Sequence, residues 1–246
     1  MKKRHLLSAA LAILLFWEAA ALLAAIPILP APHLVAAVLA RELGGELPLH
    51  FAASLWRVTA GIGLSVLLAT PAGLALGQSK RADAILSPLI WILYPIPKVV
   101  LVPIIVLFLG IGDLAKIAII FLILFFQVLV LVRDQAAAIP SQLILSLRSL
   151  GAGRRALFRL VYLPASIPAV LTALRQSVGT AIAVLYIAEL FATRHGLGYY
   201  IYFQGSTLMD YPAMYAGIVA MSALGLGLYY GVDWLERRLC PWKRGI

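Results

Sequence analysis

Apolar runs of bilayer length recur along this chain, and they leave it few ways to fold. Six segments, Leu6–Ile26, Ser54–Gly77, Ile85–Leu109, Leu114–Val132, Pro164–Phe191 and Met214–Trp234, each supply roughly the 20 apolar residues that a helix needs to cross a hydrocarbon core. The composition agrees: 63% of the 246 residues are hydrophobic and 12% charged, with a mean hydropathy of +0.99. A soluble domain is about half apolar and about a quarter charged. The expected class is an all-α integral membrane protein, a polytopic bundle of about six transmembrane helices. Residues 1–52 hold the first span and a Pro-containing outer segment (Pro27, Pro30, Pro32, Pro48). Residues 53–246 hold a five-helix core with one long loop, 133–163.

The net charge of +10 would suit nucleic acid if it formed a surface patch, but its distribution follows the spans. Counted outside the spans on alternate sides, one side carries fourteen Lys and Arg: Lys2, Lys3, Arg4, Lys80, Arg81, Arg133, Arg148, Arg154, Arg155, Arg159, Arg237, Arg238, Lys243 and Arg244. The other carries only Arg41 and Arg194. By the positive-inside rule the rich side is cytoplasmic, so both termini are expected there, and no nucleic-acid partner is implied. Lys2–Arg4, the Leu6–Trp17 run and Ala19–Ala21 also have the layout of a secretory signal. The run continues to Ile26, which favours a retained first helix. The lone Cys240 lies in the basic tail and cannot form an internal disulfide.

The stretch SLGAGRRALFRLVYLP, residues 149–164, interrupts the apolar sequence. From Arg154 to Val161 its period is helical, with Leu157, Phe158 and Val161 on one face and Arg155 and Arg159 opposite. Three uses are open to it on these grounds: lying in the interface on anionic lipid head groups, serving as a plain positive loop, or docking into a partner's groove. The 133–163 loop is 31 residues long, against seven for Gln78–Ala84. Loops that long are usually functional or disordered. Leu143, Leu145, Leu147, Leu150, Leu157, Phe158 and Leu160 argue against disorder, because they need burial.

Gly151, nine residues, then Val161-x-Leu163-Pro164 resembles the "EAA" loop of binding-protein-dependent ABC importer permeases. The resemblance extends over some 200 residues to the nitrate/sulfonate/taurine-type permeases, whose fold is MetI-like. It is carried by His50–Arg57 (HFAASLWR), by Ser87–Gly112 with its prolines and terminal GIG, by Thr172–Arg175, Ala188-Glu189 and Gly196-Leu197-Gly198-Tyr199. It implies a type I importer permease in the cell inner membrane, paired with a second permease copy. It also implies two ATP-binding-cassette ATPase subunits and a solute-binding protein as partners, and membrane lipid around it. The permease itself then carries no cofactor and no catalytic residue, since ATP is used by the partner. In that family the EAA loop forms a coupling helix in a cleft of the ATPase. The resemblance therefore assigns coupling to Leu145, Arg148, Gly151, Arg154, Arg155, Phe158, Arg159, Leu163 and Pro164. The motif's Glu position is Leu145 here, followed by Ser146-Leu147, so Arg148, Arg154 and Arg155 are expected to supply the polar docking. Gly196, Gly198 and Tyr199 fall where the family places its external gate.

Absences agree with an ATPase on another chain. No G-x-x-x-x-G-K-[ST] phosphate loop is present; Gly73–Lys80 (GLALGQSK) breaks its spacing. His5, His33, His50 and His195 are scattered without metal-ligand spacing, so no metal site is expected.

Charges within spans are costly and are usually functional or paired. Glu18 suits an interhelical hydrogen bond. Arg175 lies about 16 Å past Pro164 at the helical rise, where it either attracts an anionic solute or pairs with a carboxylate of a neighbouring helix. Lys98 stands among Pro95, Pro97 and Pro103, in a helix that cannot keep its full backbone ladder. Broken backbone at membrane depth lines a cavity or packs on protein, so Pro95, Pro97 and Lys98 are read as pathway-lining. Glu189, also a pathway candidate, is expected chiefly to anchor the outer segment. Gly73-x-x-x-Gly77 and Gly227-x-x-x-Gly231 permit close helix contact, expected within one subunit. Trp234 and Trp242 read as interface anchors. An ion-coupled secondary transporter or channel is the competing class, and a membrane enzyme or scaffold comes last for want of a catalytic cluster. The solute is not legible; Lys98 and Arg175 tilt it toward an anion.

Overall fold

The computed structural model describes residues 3–191 and 193–241, with the side chains of residues 3, 4, 6, 7 and 154 outside the described set. Trp242, Lys243 and Arg244, expected in the basic tail, lie outside it too.

The described chain is helical: α1 Lys3–Ala24, α2 Pro32–Glu42, α3 Leu47–Gln78, α4 Lys80–Leu93, a tight turn Lys98–Leu101, α5 Val102–Leu109, α6 Asp113–Ala137, α7 Ser141–Ser149, α8 Arg154–Leu157, a wide turn Phe158–Tyr162, α9 Leu163–Leu190, α10 Leu197–Tyr202 and α11 Tyr211–Leu239. Among the described residues, four helices are long and apolar enough to cross a bilayer: Leu47–Gln78, Asp113–Ala137, Arg155–Leu190 and Tyr211–Leu239. The expected third span is not one helix. Lys80–Leu93 and Lys98–Leu109 meet at 76°, because Pro95 and Pro97 offer no amide to continue α4. Counting that pair as one crossing gives five. Helix α1 runs Lys3–Ala24 and stops two residues before the end of the Leu6–Ile26 run; Ala25 turns the chain at φ 48°.

The chain divides into two compact units, Met1–Leu55 with Ala192–Leu224, and Trp56–Phe191 with Gly225–Ile246. Division at 52/53 in sequence thus omits 192–224 from the first unit.

In the larger unit, Ala69, Leu74 and Leu76 of α3, Ile90 of α4, Val128, Leu129, Val132 and Ala136 of α6, and Val170 and Ala173 of α9 form one buried cluster. Gly73 and Gly77 make it possible. A Cβ on Gly77 would stand 2.5 Å from Arg133 O and 2.6 Å from Ala136 Cβ, and one on Gly73 would stand 2.8 Å from Leu129 O. The backbones of α3 and α6 therefore touch, as the small residues permit. Gly227 and Gly231 behave otherwise: nothing lies within 4 Å of an added Cβ at either. The expectation that they pack within the subunit is corrected, since they line an open apolar groove with Gly63, Leu174, Val178 and Trp234. A second cluster joins Leu171 and Val178 of α9 to Val232 and Cys240. Cys240 is 2% exposed, buried in this cluster rather than lying in a solvated tail.

In the smaller unit, Glu18 of α1 bonds His33 of α2 at 2.7 Å, the interhelical partner expected for a carboxyl in an apolar run. Trp17 packs against Tyr215 at 5.6 Å between ring centroids.

Candidate functional site

The 133–163 loop is ordered as α7, a glycine turn, α8 and the wide turn into α9. Gly151 ends α7 at φ +84°. Its N–H donates to Arg148 O at 2.9 Å, and the N–H of Ala152 donates to Leu147 O at 3.0 Å. These are the paired bonds of a Schellman cap, whose left-handed residue is best served by glycine. The sequence placed a turn at this glycine; the bonds show which carbonyls it satisfies. After it, Leu157 and Val161 are buried, at 3% and 4% exposure, while Arg155 and Arg159 are exposed. Phe158, expected on the buried face, is instead 44% exposed, because the wide turn beginning at it rotates the face by part of a turn. Leu163 is exposed, and Pro164 begins α9 where a missing amide is harmless. Leu143, Leu145, Leu150 and Leu160, which the sequence said need burial, are 48%, 62%, 82% and 63% exposed. The Arg154 side chain lies outside the described set. Arg148 lines a 450 Å³ cavity with Gln78, Ser79, Leu157 and Tyr162. Asp83 of α4 holds Arg133 of α6 at 2.5 Å, a pair the sequence did not reveal.

At the α4–α5 break, Tyr94, Pro95, Pro97, Lys98, Phe126 and Gln127 border a 320 Å³ cavity that Thr180 and Val184 of α9 close. Lys98 Nζ donates to Leu93 O, Tyr94 O and Ile96 O at 2.8, 2.9 and 3.2 Å. The Arg175 guanidinium faces α11, donating to Asp233 at 3.1 Å and to Glu236, with Tyr229 beneath it at 5.8 Å. Of the two fates left open for Arg175, carboxylate pairing is the one observed.

Glu189 is wholly buried and accepts from Arg57 at 2.8 Å. Arg57 also reaches Asp113, at 2.8 Å, and the neighbouring Lys116 is buried and donates to Ile111 O. The guanidinium gives Glu189 a partner in a site where an unpaired carboxylate would be costly. Its signal in the sequence was the isolated Arg and Glu inside apolar runs, though not their pairing.

In the smaller unit, Gly196 adopts φ +133° and starts α10. Its N–H donates to His50 Nδ1 at 3.0 Å, and the next amide, Leu197, donates to Ser54 Oγ at 2.8 Å. His50 and Ser54 are four apart on α3, hence on one face, and together they satisfy two amides that begin a helix. Gly198 is buried, and Tyr199 stacks on His50 at 5.9 Å and on Phe203 at 5.5 Å. The histidines are less scattered than the sequence suggests: the His50 and His195 rings stand 5.9 Å apart beside a 230 Å³ cavity that Glu46, Arg194 and Gln204 also line. No group of three or more His, Cys, Asp or Glu able to hold a metal occurs among the described residues.

Bilayer-length helices, a helix pair broken at prolines beside a cavity, and a basic loop with several uncovered leucines define a helical membrane protein. The comparisons narrow this class: the chain belongs to the family of binding-protein-dependent transport system inner membrane components, whose model matches residues 61–240. It is 34% identical over 193 residues to the taurine transport system permease protein TauC of Escherichia coli, covering 78% of this chain and 70% of TauC. It is 30% identical over 195 residues to the formylaminopyrimidine transport permease protein ThiX of Halalkalibacterium halodurans, covering 79% and 78%. Its fold matches a chain of the MetNI methionine ABC transporter in an inward-facing conformation with a TM-score of 0.61. The match covers 77% of this chain and 94% of that one at 18% identity, so that likeness is one of fold. The protein is thus a permease subunit of an ABC importer for small solutes, a multi-pass component of the inner membrane.

Proposed function

We propose that this permease passes a small polar solute of the taurine and sulfonate kind inward, that its 141–164 segment is the socket for an ATPase, and that two copies flank one pathway. The observation that carries the socket is the uncovered apolar set Leu143, Leu145, Leu150, Phe158 and Leu160 beside exposed Arg148, Arg155 and Arg159. Apolar side chains this exposed on a charged segment suit a protein groove. The side-chain carboxylate that the EAA motif would offer is Leu145 here, so arginines take over the polar contacts, Arg154 included. ATP is bound and split on the partner, and solute arrives from a binding protein. The charge distribution supports six crossings with both termini in the cytoplasm, α1 and the bent α4–α5 pair each counting as one. Pro95, Pro97 and Lys98 line the path; Gly196, Gly198 and Tyr199 form part of its outer closure. Arg175 and Glu189 hold their helices in place around it.

The test is co-purification of the ATPase with the permease, repeated with Arg148→Glu plus Arg155→Glu. Reversal should strip the ATPase and abolish solute-stimulated ATP turnover while the permease still accumulates. Retention of both activities by the reversed protein, or transport by the permease with no ATPase present, sinks this reading.

A further inference from the structure

The sequence Tyr94-Pro95-Ile96-Pro97-Lys98 builds a cage at the helix break. Pro97 has no N–H to offer the carbonyl four residues before it, and the backbone bond Leu93 O receives from Ile96 is a long turn bond, at 3.4 Å. With the chain turning there, Leu93 O, Tyr94 O and Ile96 O converge on one point, which Lys98 Nζ occupies at 2.8, 2.9 and 3.2 Å. Phe126 of α6 closes one side with its ring centroid 4.7 Å from that nitrogen, and the Tyr94 ring lies at 5.9 Å. Three acceptors match the three N–H donors of a primary ammonium one for one, and aromatic faces favour a cation. The distances are those of hydrogen bonds, longer than the oxygen contacts of about 2.0–2.6 Å that bound divalent metals take. A quaternary ammonium, having no N–H, could donate to none of the three carbonyls.

The cage opens on the 320 Å³ cavity whose far wall carries Gln127 and Thr180. That volume falls within the range of about 300–1,000 Å³ typical of small-ligand pockets. Among the described residues no Asp or Glu lines it, so neutral oxygens and ring faces are what it offers a cation. We infer that this cage is a primary-ammonium binding site, filled by Lys98 when the cavity is empty and by the amine end of a solute during passage. The inference rests on the 94–98 segment lining the solute path. Lys98 is a tethered occupant with an effective concentration of roughly millimolar, so free amine enters readily only once the tether is cut back.

The experiment uses the permease co-purified with its ATPase, as wild type, Lys98→Ala and Lys98→Ser, with ethylammonium chloride as probe. Tetramethylammonium chloride and sodium chloride at equal ionic strength are the controls. In the two variants ethylammonium should raise the unfolding midpoint saturably, by roughly 3 °C, while the controls and the wild type shift little. Adding Phe126→Leu to Lys98→Ala should weaken the apparent affinity several-fold. Recovery of a variant only when ethylammonium is present upholds the proposal. An equal response to all three salts, an equal response of the wild type, or recovery of neither variant in any salt overturns it. ATPase co-purification is scored separately on the wild type, so failure of the importer assembly and failure of the cage are distinguishable.

Discussion

Arg57 Nη1 donates to Glu189 Oε1 at 2.8 Å while Nε of the same guanidinium holds Asp113 at 2.8 Å. One cation from α3 thus binds a carboxylate of α9 and another at the start of α6, and Glu189 has no exposed surface at all. Removing one partner of a buried pair strands the other in a low-dielectric site. Glu189→Gln is expected to cost about 3–5 kcal/mol, and Arg57→Met with Glu189→Met to recover most of that loss. Denaturant unfolding in a fixed lipid or detergent environment measures both; a Glu189→Gln protein as stable as wild type refutes the pairing.

Two glycines separate contact from vacancy. Gly77→Ala would drive a methyl to 2.5 Å from Arg133 O, and overpacking of this kind costs about 1–3 kcal/mol. Gly231→Ala meets nothing within 4 Å and should be neutral or gain up to about 1 kcal/mol from the better helix former. Should Gly231→Ala be as harmful as Gly77→Ala in unfolding measurements, another chain must cover that groove.

Gly151→Ala forces a side chain into φ +84°, for about 1 kcal/mol or more of local strain. Gly151→Asn, which tolerates this conformation better, should lie between the two. The expected signature is partial loss of solute-stimulated ATP turnover at unchanged ATPase binding affinity, ranked glycine, asparagine, alanine. Equal turnover by all three proteins contradicts a role for the turn in coupling.

Tyr200 is 3% exposed and its Oη has no hydrogen-bond partner. Burial, helped by the charge of Glu42, pushes its phenol up to about 12. For an acid whose folded pKa is raised, the stability linked to the neutral form is complete below the ordinary value of about 10 and is lost as pH climbs through the folded one. Tyr200→Phe should therefore remove the steepest part of the stability loss between about pH 10 and 12. At neutral pH it should be neutral or stabilising by about 1 kcal/mol, because a buried unpaired hydroxyl is removed. Loss of stability at neutral pH would mean the hydroxyl is paired after all.

Length and hydropathy made the long helices legible, because a bilayer imposes both. The break after Leu93 was legible from Pro95 and Pro97 for the same kind of reason, a missing donor. What Lys98, Arg175 and His50 do was not. Arg175 finds Asp233 and Glu236 some 60 residues away in sequence, and no local period announces such a pairing. His50 and Ser54 stand four apart in sequence, but the amides of Gly196 and Leu197 that they cap are fixed only by the fold. Phe158 was placed on the wrong face because one wide turn shifts the phase of a period read as regular.

That wide turn has a mechanical consequence. From Arg155 to Leu190 the chain continues as one helical segment of 36 residues, so the proposed socket and the span are parts of the same object. Whatever an ATPase does at Arg155 reaches Arg175 and Glu189 without crossing a loop. The π-type turn at 158–162 and Pro168 are where its backbone ladder departs from the α pattern, so a push at the cytoplasmic end would be taken up there first as a bend.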